Sequence, residues 1–89
     1  MMEEKVVSAD CWITKLEDSF WTYTIQISFK DRKNVEKDIG KFFDGWQLSG
    51  TGYDPKNKII IHIYKKDFDS KQKWNSIKKQ FSFDIQLIK

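Results

Sequence analysis

This chain is poor in the residues that usually make a function readable. Its single cysteine, Cys11, has no second cysteine to form an internal disulfide, which fits a reducing cytoplasm. Its single histidine, His62, lacks Cys or His neighbours at metal-ligand spacing, which argues against a zinc site. Only one of the 16 basic residues, Arg32, is arginine. Base edges and phosphates are usually read by arginine forks, whereas lysines attract a polyanion and read little of it. No apolar run approaches the ~20 residues needed to span a bilayer. Residues 1–5 (MMEEK) carry neither the basic nor the apolar region of a signal peptide. No linker, repeat or low-complexity segment divides the 89 residues, so the expectation is one cytoplasmic domain over residues 1–89.

Aromatic residues are abundant, at 16% of the chain with 4 Trp, 7 Phe and 3 Tyr. A chain this short buries a single core with little margin, and large rings help to fill it. Charge is unevenly placed. Residues 1–55 hold 7 Lys/Arg and 10 Asp/Glu, a net of −3, and residues 56–89 hold 9 Lys and 3 Asp, a net of +6. That asymmetry points to a partner with an acidic surface for the C-terminal part.

Two alternating stretches dominate the pattern. In residues 20–29 (FWTYTIQISF) every odd position from Trp21 to Phe29 is apolar or aromatic, with Thr22, Thr24, Gln26 and Ser28 between them. In residues 58–64 (KIIIHIY), Ile59, Ile61 and Ile63 mark one face and Ile60, His62 and Tyr64 the other. Both predict strands with one buried face. Residues 6–14 form a weaker strand candidate with Val7, Ala9, Cys11 and Ile13 on one side, followed by a turn through residues 16–19. Asp31 or Asn34 can cap a helix to about Phe43, with Val35, Ile39, Phe42 and Phe43 on its core face and Asp44-Gly45 as its stop. Residues 46–53 read as a strand weakened by Gly50 and Gly52, and Asp54-Pro55-Lys56-Asn57 as a turn into the next strand. Asp69 or Ser70 can cap a second helix to about Gln80, carrying Trp74, Ile77 and Phe81. Phe83, Ile85 and Leu87 mark a last strand.

The order β-β-α-β-β-α-β predicts an α+β fold: a ferredoxin-like split β-α-β sandwich, with an antiparallel sheet, two helices on one face and an extra N-terminal strand. The extra strand conflicts with that topology. The strand at residues 20–29 should be central, and a tight hairpin would claim one of its two neighbouring places for residues 6–14. Either the N-terminal strand lies at an edge or the strand order departs from the standard one.

If the odd positions face the helices, the open sheet face carries Thr22, Thr24, Gln26, Ser28, Ile60, His62 and Tyr64, joined by Tyr53, Asp84, Gln86 and Trp12. An open sheet bearing aromatics, reached through this topology and a lysine-started strand with Tyr64, resembles the RNA-recognition-motif family at the level of fold. The resemblance implies single-stranded RNA or DNA bound through Tyr64, Tyr53, His62 and nearby lysines. The motif departs from that family, because Ile59-Ile60-Ile61 stand where an aromatic-and-glycine core is expected and Thr24 or Gln26 where a stacking ring is expected. Lys65, Lys66, Lys73 and Lys79 form the candidate basic patch, and Lys71 and Lys78 flank the second helix's apolar stripe, where lysine stems usually cover apolar surface.

His62 with a carboxylate is the one seed of an enzyme reading, and no Ser or Cys is placed as its nucleophile. Cys11 reads as a small buried hydrophobe. Asp10 and Asp84 on one face do not amount to paired-acid catalysis. Ser49-Gly50-Thr51-Gly52-Tyr53 leads into a turn and a strand, so it is not a phosphate loop before a helix. The leading expectation is a small non-enzymatic module, without cofactor or metal, that acts by contact with another protein as an inhibitor, immunity factor or regulator. Single-stranded nucleic-acid binding stands second.

Overall fold

The computed structural model describes residues 5–16 and 20–88. They form β1 (Val6–Leu16), β2 (Phe20–Lys30), α1 (Val35–Phe42), β3 (Gln47–Asp54), β4 (Ile59–Phe68), α2 (Trp74–Lys78) and β5 (Gln86–Leu87). The element order is the one expected, and the fold is a small α+β structure. The turn expected at residues 16–19 falls largely on residues 17–19, outside the described residues.

The five strands lie in the order β3-β4-β2-β1-β5. This corrects the ferredoxin-like expectation. β2 is central, with β4 on one side, but β1 and not the last strand takes the other side. β1 and β2 pair antiparallel from Val6↔Phe29 to Leu16↔Phe20. Neighbouring segments close a short loop at lower entropic cost than segments some sixty residues apart. β5 is displaced outward and pairs with β1 in parallel over only Asp10↔Gln86 and Cys11↔Leu87.

The odd face of β2 is the core, as its alternation predicts. Tyr23, Ile25, Ile27 and Phe29 are fully buried, together with Cys11 of β1, Val35 and Ile39 of α1 and Ile77 of α2. Both helices therefore cover the same sheet face. α1 matches its expected span. Asn34 sits at its N-cap with φ 69° but makes no side-chain cap bond, and Glu36 and Asp38 in the first turn complement the helix dipole instead. Gly45, at φ 86°, occupies the left-handed region that turns the chain after α1.

The second helix is shorter than expected. The Tyr23 hydroxyl accepts from Gln72 N–H at 2.8 Å and donates to Gln72 C=O at 3.0 Å, which holds residue 72 in a non-helical link. α2 then starts after an extended Lys73, with neither Asp69 nor Ser70 as its cap. The last strand is also shorter. Phe83 and Ile85 are buried as its alternation requires, but only Gln86 and Leu87 reach the ladder of β1.

Candidate functional site

Antiparallel partners share a face, so register decides what the open face carries. On β4, His62 lies opposite Ile27, Tyr64 opposite Ile25 and Ile60 opposite Phe29. Those β2 residues point into the core, and so do Ile60, His62 and Tyr64. On β3, Tyr53 lies opposite Ile60 and turns to the same side at the sheet edge. This corrects four of the open-face assignments. The phase of β4 is one residue from that expected, because apolar residues occupy both phases of Ile59-Ile60-Ile61 and the alternation carries no sign there.

The helix-free face is built by the other phase. Thr22, Thr24, Gln26 and Ser28 of β2 lie on it as expected. Across from them are Asp67, Lys65, Ile63 and Ile61 of β4, and Thr14, Trp12, Asp10 and Ser8 of β1. Gln86 extends the row of Asp10. Asp84 lies in the loop before β5 and is exposed. Ile61 and Ile63 are only partly covered by β3, which places Gly52 and Gly50 beside them. A Cβ on Gly50 would stand 3.4 Å from Ile63 Cδ1, so glycine there keeps the β3 backbone close to these isoleucines. Trp12, 37% exposed, adds a large ring on the β1 side. Thr22 donates to Asp67 Oδ1 at 2.6 Å, which fixes one end of the polar row. The face is a polar strip flanked by Trp12 and by two isoleucines, with Phe20, 45% exposed, at the start of β2. Of the residues that sequence reasoning placed elsewhere, Ile61 and Ile63 are functional candidates; the signal that identifies them is their pairing with Ser28 and Gln26.

On the opposite side the structure gathers a titratable cluster around His62. Its ring is 4% exposed and stands edge-on to Phe29 at 5.0 Å. Nε2 lies 3.0 Å from Glu36 Oε2 and Nδ1 lies 2.8 Å from the Tyr64 hydroxyl. A carboxylate only accepts, so Nε2–H donates to Glu36, and in the neutral ring the Tyr64 O–H donates to Nδ1. Tyr64 stacks on Phe43 at 4.0 Å, and burial, then the nearby Glu36 charge, raises its hydroxyl pKa. Both ring nitrogens are thus occupied by protein partners. No group of three or more His, Cys, Asp and Glu suited to a metal ion occurs among the described residues. Cys11 is wholly buried, and burial pushes its thiol pKa up to about 12.

The lysines of the candidate basic patch do not converge. Lys65 is on the helix-free face opposite Thr24. Lys66 points to the other face and sits over the Phe68 ring at 5.3 Å. Lys73 and Lys79 bracket α2. Ahead of the short β5 ladder, a groove of about 940 Å³ opens between Val6, Ser8 and Ala9 of β1 and Phe81, Phe83 and Asp84. No helix among the described residues is long and apolar enough to cross a membrane.

No protein-family model matches this chain, and no curated protein or solved structure is significantly similar to it.

Proposed function

We propose that this protein is a non-enzymatic binding module that engages another protein through the helix-free face of its sheet, in the manner of a small inhibitor, immunity factor or regulator. The observation that carries the reading is the composition of that face. Polar Thr24, Gln26 and Ser28 lie between Trp12 on one side and Ile61 and Ile63 on the other. Protein interfaces that form and dissociate are about as apolar as ordinary surface and place a few rings or aliphatic side chains among polar groups. The non-enzymatic part of the proposal is supported by His62, whose ring is buried and whose two nitrogens are already bonded. Tyr53, His62 and Tyr64 lie away from the helix-free face, which leaves Trp12 and, at the far end of β2, Phe20 as its rings among the described residues, two isolated rings rather than a stacking row, and this favours protein over single-stranded nucleic acid. The lysine excess does not carry this reading, because Lys65 is the one member of the candidate basic patch on the helix-free face.

The test compares the wild-type chain with a Trp12→Ala/Ile63→Ser variant in quantitative capture from cells, followed by titration of each candidate partner as a purified protein. A partner that binds the wild type directly and loses at least ten-fold affinity for the variant supports the reading. An electrophoretic shift of single-stranded RNA or DNA that weakens steeply with salt, with no direct protein partner, overturns it.

A further inference from the structure

β3 is an outer strand of the sheet, paired with β4 on one side only. Edge strands are usually guarded by charges, proline or a covering segment, because their unpaired backbone groups template another strand. From Gln47 to Tyr53 the sequence QLSGTGY contains no charge and no proline. It exposes two large apolar side chains instead, Leu48 at 48% and Tyr53 at 53%.

The faces of this strand follow from its pairing with β4. Gln47, Gly50, Gly52 and Asp54 lie on the helix-free side, opposite Lys65, Ile63, Ile61 and Ile59. Leu48, Thr51 and Tyr53 lie on the helix side, opposite Tyr64, His62 and Ile60. The register shifts between Leu48 and Gly50, which makes Ser49 the extra residue of a bulge. A strand can pair antiparallel with its own copy only if partners share a face. Centred on Thr51, the match runs through the whole strand. Thr51 meets Thr51, Gly50 meets Gly52, Leu48 meets Tyr53 and Gln47 meets Asp54. The bulge is what makes the outer pairs agree, since a regularly paired Ser49 would meet Tyr53 and push Leu48 opposite Asp54.

We propose that β3 is a self-association edge: two copies pair their β3 strands antiparallel about a twofold axis through Thr51, joining five strands from each copy into one continuous sheet. A second copy fits better than an unrelated strand because each exposed apolar residue finds its counterpart on the same eight-residue segment. No like charges meet across the axis, and a Thr–Thr pair is favourable in cross-strand position. The two central Gly50–Gly52 pairs flatten the junction on the helix-free side and bring Ile61 and Ile63 of both copies towards one patch. A single strand pair buries less than the ~1,000 Å² of a stable specific interface, so the dimer is weak, with Kd on the order of 100 µM. The inference is independent of the partner proposed for the helix-free face.

Sedimentation equilibrium from about 10 µM to about 1 mM tests it over the range where such an affinity is visible. The mass-average should rise from one chain towards two. Leu48→Lys and Tyr53→Lys, both at exposed positions, should weaken association at least ten-fold while the far-UV circular dichroism spectrum is unchanged. Under mild oxidation Thr51→Cys should give a covalent dimer, and Ser76→Cys, exposed on α2, should not. A mass of one chain throughout the range overturns the proposal. So does a dimer that is indifferent to both lysine substitutions, because it would use another surface.

Discussion

The Nδ1 atom of His62 lies 2.8 Å from the hydroxyl of Tyr64, two residues further along the same strand and on the same, buried face. The pair explains how a histidine comes to occupy the core of a small sheet. Glu36 reaches Nε2 from α1, and Phe29 and Phe43 enclose the two rings. A buried polar group is tolerated when every donor and acceptor is met, and among the described residues no buried side-chain nitrogen or oxygen lacks a partner.

Breaking this pair should therefore destabilise the fold. His62→Leu leaves the Tyr64 hydroxyl buried without its acceptor, and a loss of about 1–3 kcal/mol is expected. Tyr64→Phe removes one bond and should cost about 1 kcal/mol. Glu36→Gln, at a side chain 60% exposed, should cost less than about 1 kcal/mol. Urea unfolding of the three variants checks the order.

Tyr23 ties β2 to the link before α2 through two bonds to Gln72. Tyr23→Phe keeps the ring, including its edge contact with Phe68 at 5.0 Å, but leaves the Gln72 amide without its acceptor. A loss of about 1–2 kcal/mol is expected in urea unfolding. Amide exchange at Gln72 and through α2 should accelerate more than exchange in β2.

Cys11 should be silent to thiol reagents in the folded protein at pH 8 and reactive once urea unfolds it, because the thiolate is the reactive form and burial disfavours it. The same burial sets a pH dependence. The thiol titrates at about 12 when folded, against 9.0 unperturbed. The raised folded value stabilises the protein fully below about pH 9, where the thiol is neutral in both states. Above pH 9 the unfolded chain loses the proton and the folded one keeps it, so stability falls by about 1.4 kcal/mol per pH unit until the folded thiol also ionises. Tyr64, whose hydroxyl pKa is also raised, acts in the same direction at higher pH. Unfolding of Cys11→Ala measured from pH 8 to 11 should show a shallower alkaline decline than the wild type.

The two faces of β2 should answer differently to substitution. Ile25→Ala or Ile27→Ala opens a cavity in a fully buried position and should cost about 2–5 kcal/mol. Thr24→Ser or Gln26→Thr, on the helix-free face, should stay within about 0.5 kcal/mol. Thermal unfolding of the four variants distinguishes the faces without any knowledge of the partner.

The amino-acid sequence by itself determined the order of the elements and one face. Strict alternation from Trp21 to Phe29 settles which side of β2 is buried, and Val35, Ile39 and Phe43 settle the inner face of α1. Asp54 builds the hairpin turn much as its residue type implies, accepting from the amides of Lys56 and Asn57 and from the Asn57 side chain, and Lys58 takes the left-handed conformation. The phase of β4 was illegible, because Ile59, Ile60, Ile61 and Ile63 satisfy either face. A lone His62 reads as the more polar side until Glu36 and Tyr64 are brought to it. Only the tertiary structure decided these points. Pairing with β2 sets the register of β4, and a slip of one residue would reverse every side chain. The hairpin with β1 claims the place beside β2, and that moves β5 outward to a two-residue ladder. Periodicity reports that a strand has two different faces; which one is covered is decided by the strand beside it.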